Sequence, residues 1–87
     1  MSWNLETTNT FKRNYKKLSP EIKERISNAV DSLSNAEDPR ILGEPKYGRW
    51  KGAYSYNIGR QYRIMYAVDF NTESIILLDV GTHKIYR

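Results

Sequence analysis

The sequence predicts an α+β domain: an N-terminal strand, then an αα-hairpin packed on one face of a mainly antiparallel four-stranded sheet. Three observations carry this. Apolar residues recur at helical spacing from Phe11 to Leu33 with one break at Leu18-Ser19-Pro20; three strand-forming runs lie between Ala53 and Val80; and an alternation occupies Ser2 to Thr7. With 87 residues and no internal repeat or low-complexity segment, the chain is expected to form a single domain, 1–87, around one core.

From Ser2 to Thr7, Trp3, Leu5 and Thr7 alternate with Ser2, Asn4 and Glu6, the period of a half-buried strand. Thr8, Asn9 or Thr10 can cap a first helix in which Phe11, Tyr15 and Leu18 fall at i, i+4 and i+7, with Lys12, Arg13, Lys16 and Lys17 largely outside that stripe. Ser19-Pro20-Glu21 starts a second helix: Ser at the N-cap, Pro where its missing N–H costs nothing, and Glu near the positive end of the dipole. Ile22, Ile26, Ala29, Val30 and Leu33 continue it to about Asn35. Between Ala36 and Gly52 the pattern dissolves among Pro39, Gly43, Pro45, Gly48 and Gly52, which reads as a long surface loop.

Three strands follow, at Ala53–Ile58, Tyr62–Val68 and Ser74–Val80. A two-residue loop at Gly59-Arg60 would set Tyr56 against Arg63 and mix apolar with charged residues on one face. A three-residue loop, Gly59-Arg60-Gln61, pairs Ile58 with Tyr62, Tyr56 with Ile64 and Tyr54 with Tyr66, giving one continuous face to put under the helices. Ser55, Asn57, Arg63, Met65 and Ala67 then share the other face. There a guanidinium on a rigid strand makes a planar, permanently charged phosphate fork.

Charge is uneven along the chain. Residues 1–39 carry six basic and six acidic side chains, residues 40–66 set Arg40, Lys46, Arg49, Lys51, Arg60 and Arg63 against Glu44 alone, and residues 67–87 net −1. In the +5 segment the cations interleave with Tyr47, Trp50, Tyr54, Tyr56, Tyr62 and Tyr66. That suits a polyanion with stackable bases, although composition alone points first to a solvated basic surface around an aromatic core. With no Cys and one His, disulfides, thiol nucleophiles and a His/Cys zinc site made by one chain are excluded. No apolar run is long enough to span a bilayer and the N-terminus lacks the pattern of a signal peptide, so a cytoplasmic protein without membrane contact is expected.

The order strand, αα-hairpin, basic loop and three-stranded meander resembles the RelE/ParE superfamily of type II toxin-antitoxin toxins. Asp38-Pro39-Arg40-Ile41-Leu42-Gly43-Glu44-Pro45 resembles the segment after the hairpin, Ile58 to Tyr66 resembles the family's G-x-YR-hydrophobic-hydrophobic-Y stretch, and Val80-Gly81-Thr82-His83-Lys84-Ile85-Tyr86 resembles its last strand and tail. The resemblance covers nearly the whole chain. It implies a RelE-like fold, an antitoxin partner from the same operon, and one of two activities: ribosome-dependent cleavage of mRNA in the A site, or inhibition of DNA gyrase without nuclease activity. A non-catalytic RNA-binding relative is a third reading.

By position, the nuclease reading makes Arg63 the phosphate clamp, His83 the group for proton transfer or charge stabilisation, and Tyr86 the residue that stacks on or orients substrate. Arg49, Lys51, Arg60 and Lys84 become RNA or ribosome contacts. The substrate's 2′-OH would be the nucleophile, so no metal and no small-molecule cofactor is expected. His83 is the sole side chain here whose ordinary pKa lies near neutrality. Ser55 and Asn57 stand where family nucleases often carry basic residues; that departure favours the gyrase reading, whereas His83 followed by Tyr86 favours cleavage.

Overall fold

The computed structural model describes residues 2–82. The elements are β1 (Asn4–Thr7), α1 (Asn9–Lys16), α2 (Pro20–Ser34), β2 (Glu44–Pro45), β3 (Tyr54–Ile58), β4 (Tyr62–Asp69) and β5 (Ser74–Thr82), with 3-10 turns at Pro39–Leu42 and Gly48–Trp50. The sheet has the order β1-β5-β4-β3-β2. Only β1 against β5 is parallel.

Both helices start where the capping residues dictate. The Thr8 side chain accepts from the Phe11 N–H at 3.0 Å and its hydroxyl donates to the Leu78 carbonyl at 2.7 Å, so one residue ends β1, starts α1 and ties both to β5. Ser19 accepts from the Ile22 N–H, with Pro20 in the first turn of α2. Phe11 from α1 and Ile26, Ala29 and Leu33 from α2 close over Ile58, Ile64, Tyr66, Ile75, Leu77 and Val80 to form the core. The hairpin register is the predicted one: Tyr54↔Tyr66, Tyr56↔Ile64, Ile58↔Tyr62.

Three features depart from the sequence reading. The loop of residues 36–52 contains β2, a fifth strand of two residues that pairs Glu44 with Ser55 and Pro45 with Tyr54. A two-residue strand holding a proline has no readable period, and at the sheet edge the missing N–H costs no ladder bond. Secondly, β1 is exposed at all four residues, Leu5 at 44%. The burial expected of it belongs to Trp3 just before it, whose indole donates to the Ala36 carbonyl at 3.0 Å and meets Phe70 edge-on at 5.2 Å between centroids. Thirdly, the β4–β5 ladder skips a residue: Met65 pairs with Asp79 but Tyr66 with Leu77, leaving Leu78 as a bulge. The extra residue inverts the alternation, so that Leu77 and Val80, three apart, both reach the core.

The first part of the long loop is pinned. The Tyr66 hydroxyl, buried in the sheet, donates to the Pro39 carbonyl at 2.6 Å. Gly43 lies against the same hydroxyl, where a Cβ would fall directly on it. Burial above all, with Tyr54, Tyr56 and Asp38 adding to it, pushes the Tyr66 hydroxyl well above the usual tyrosine range, so it stays a donor.

Candidate functional site

The face of the sheet turned away from the helices is set by parity on β4. Ile64 and Tyr66 belong to the core, so Arg63, Met65 and Ala67 point the other way. The pairings put Asn57 and Gly81 on either side of Arg63, and Ser55 and Asp79 on either side of Met65. Arg63 is half-buried in this row, a rigid placement for a guanidinium. The row resembles the sequence reading, which placed Ser55, Asn57, Arg63, Met65 and Ala67 together.

One wall of this face comes from the turn after β2. Arg49, Trp50, Lys51 and Gly52 line a cavity of about 340 Å³ together with Ala53, Ala67 and Leu78. Gly48 and Gly52 have φ of +67° and +92°, the left-handed conformations that let the chain double back here. The floor is apolar and the rim carries the cations of Arg49 and Lys51. Ala67 lies four residue steps along β4 from Arg63, about 13 Å at the rise of an extended strand. Arg60 sits exposed at the tip of the β3–β4 hairpin, after Gly59 at φ +65°. The structure thus gathers Arg49 and Lys51 in one wall, places Arg63 on the same face, and sets Arg60 beyond the end of it.

His83, Lys84 and Tyr86 lie outside the described residues. The last described residues of β5 are Gly81, opposite Arg63, and Thr82, opposite Tyr62.

Sequence reasoning missed Trp50 and Leu78 as components of this face. Trp50 is half-buried against it, and its indole N–H is buried without a hydrogen-bond partner among the described residues. The Ser55 hydroxyl, on a residue 1% exposed, is in the same condition. Each such group costs about 1–3 kcal/mol relative to a satisfied one. The missing signal for Leu78 was the bulge, and for Trp50 the path of a loop that has no period. Asp79 was also missed: 8% exposed, it accepts from the Asn14 amide at 2.7 Å and from the Val80 N–H at 2.8 Å, joining α1 to the bulge.

A two-helix layer on a five-stranded sheet, with a cationic cavity and a strand-borne arginine on the other face, defines a small two-layer α+β protein suited to an anionic target. The chain belongs to the family described as ParE-like toxin of type II bacterial toxin-antitoxin system, whose profile matches residues 5–87. Among solved structures, the fold is similar to that in the RelBE2 toxin-antitoxin complex of Mycobacterium tuberculosis, with TM-score 0.82 and 26% identity over 95% of this chain and 100% of that one. It is similar to the intact RelBE complex of E. coli, with TM-score 0.72 and 20% identity over 93% and 96% of the two chains. A YoeB/ParE toxin from Agrobacterium tumefaciens gives TM-score 0.77 and 21% identity over 92% and 98%. No curated protein matches the sequence. Among the described residues no helix is long and apolar enough to cross a membrane.

Proposed function

We propose that this toxin is a ribosome-dependent endoribonuclease that cuts mRNA in the A site. The observation that carries the reading is the face of the sheet turned away from the helices, where Arg63 stands on a rigid strand and the cavity of Arg49, Trp50 and Lys51 lies further along the same side. A message laid across it meets a phosphate fork, an indole on which a base can stack, and two further cations.

In this reading the 2′-OH attacks the adjacent phosphorus, and the bond to the 5′-oxygen breaks to leave a cyclic phosphate. Arg63 holds the phosphate and balances the charge that grows on it in the transition state. The 2′-OH gives up its proton and the 5′-oxygen takes one up; His83 moves the proton at one of these ends, solvent serves the other, and Tyr86 orients the base beside the cut. Arg49, Lys51, Arg60 and Lys84 hold RNA or ribosome without taking part in the chemistry. Neither metal nor organic cofactor enters. In the cell the protein is held inactive in the cytoplasm by an antitoxin, as the toxins of the similar RelBE complexes are found with theirs.

Primer-extension mapping of a message on programmed ribosomes tests this. Cuts within the A-site codon that vanish with His83→Ala and Arg63→Ala are expected; an intact message in every lane refutes it. A second reading, a gyrase inhibitor, draws on one specific observation: Ser55 is buried and Asn57 uncharged beside Arg63, so β3 brings no cation to the row. Loss of supercoiling activity with intact mRNA would select it.

A further inference from the structure

The two helices of the hairpin differ sharply in charge. Along α2, Glu21, Glu24 and Asp31 face Lys23 and Arg25, a net of −1; along α1 and its C-cap, Lys12, Arg13, Lys16 and Lys17 meet no acidic residue, a net of +4. All four cations are exposed, and none is in an ion pair with another described residue. At about 100° per residue they cover a continuous arc of about 140° opposite the stripe of Phe11, Tyr15 and Leu18. That stripe packs in or against the core under the sheet, so the arc faces away from Arg63 and the cavity.

The arrangement works against the helix. Lys12 with Lys16 and Arg13 with Lys17 are like-charge pairs at i, i+4, each unfavourable by about 0.2–0.5 kcal/mol. Attraction to the negative end of the helix dipole accounts for Lys16 and Lys17, but Lys12 sits one turn after the cap, where a cation gains nothing. Solubility alone is served by the mixed charges that α2 carries. The arc also holds no aromatic or aliphatic side chain. Protein partners anchor on such groups, and bases need them to stack, whereas phosphates need only cations. The exposed apolar residues Leu5, Ile41, Leu42, Tyr47 and Phe70 all belong to other segments.

We propose that the outer face of α1 is a second nucleic-acid surface, one that grips the phosphate backbone of structured RNA independently of sequence. It deepens the ribosomal reading: α1 holds ribosomal RNA while the opposite face receives the message. Two ranks of cations a helical turn apart, on a helix fixed by Thr8 and by the Asn14 bond to Asp79, form a rigid counterpart to a regular backbone.

The test is a salt titration of binding to purified ribosomes and to a double-stranded RNA of arbitrary sequence, comparing the protein with its Lys12→Gln/Lys16→Gln and Arg13→Gln/Lys17→Gln variants. Glutamine keeps the helix propensity, and circular dichroism checks the fold. Each double variant is expected to bind about tenfold more weakly near 0.1 M salt, with the slope of log K against log salt shallower by about 1.5. Cutting at saturating protein should be unchanged, while the half-saturating concentration rises. Unchanged slopes, or wild-type binding to neither RNA, overturn the proposal. So does intact RNA binding accompanied by loss of an acidic protein partner, which would give the face to that partner. If wild-type protein binds ribosomes yet never cuts mRNA, the nuclease reading fails and the slopes still decide the role of α1.

Discussion

On β4, Ile64 and Tyr66 point into the helices and are fully buried among ten core residues, while Arg63 and Ala67, one step out of phase, face the surface shared with Trp50 and Lys51. The helix side satisfies what it buries: the Tyr66 hydroxyl has the Pro39 carbonyl, and Trp3, at its margin, has that of Ala36. The other side does not, since the Trp50 indole and the Ser55 hydroxyl are both buried without partners among the described residues. One face of the strand is built for stability. The other holds groups in place at a cost to stability, as surfaces with a task outside the fold commonly do.

Substitutions on neighbouring residues can break this contrast. Ile64→Ala should lose about 4 kcal/mol of stability, a large share of what a domain of this size has, measured as a fall in urea midpoint. Arg63→Ala, one residue away, should cost less than half as much stability, yet on the proposed reading slow A-site cleavage by about 10²- to 10³-fold, some 3–4 kcal/mol in the barrier. Equal stability losses for the two would mean that the faces are not divided as described. Tyr66→Phe removes the buried donor to Pro39 and should cost about 1.5 kcal/mol, with faster proteolysis in residues 39–43.

Ser55→Ala sharpens the comparison because its sign is opposite. Removing an unpartnered buried hydroxyl should raise stability by about 1 kcal/mol, and a loss would show that the hydroxyl is satisfied in solution. The smallest effect is electrostatic. The Arg40 guanidinium, bonded to Asp38 at 2.8 Å, holds that carboxyl below its usual range. A carboxyl depressed in the folded state stabilises above its unfolded pKa and loses that contribution as pH falls through the folded one. The pair is exposed, so the acid-side slope of wild-type stability should exceed that of Asp38→Asn only slightly, and the two should converge at the lowest pH.

How far the sequence could be read depended on periodicity. The helical hairpin was legible because Ser19-Pro20 and the apolar spacing agree, and the β3–β4 register because only a three-residue turn keeps Tyr54, Tyr56 and Ile58 opposite Tyr66, Ile64 and Tyr62. Arg63 was placed on its face by the same argument. The bulge at Leu78 was hidden because a skipped residue leaves no mark in composition, and β2 was hidden because two residues have no period. The cations of α1 were visible singly but cancelled when residues 1–39 were counted as a block; only the boundary of α1 separates them from the acids of α2. Tyr86 was read from resemblance alone, and His83 from resemblance together with its being the sole histidine.

The parallel pairing of β1 with β5 has a consequence for how the chain comes into being. Thr8 bonds Leu78 across 70 residues, so the first described strand closes against the last described one. Antiparallel neighbours can zip together locally, but this contact carries a large loop-closure entropy and comes late in folding. During synthesis the sheet can be completed only after β5 has left the exit tunnel, so the nascent chain carries no finished sheet surface while β5 is still being made.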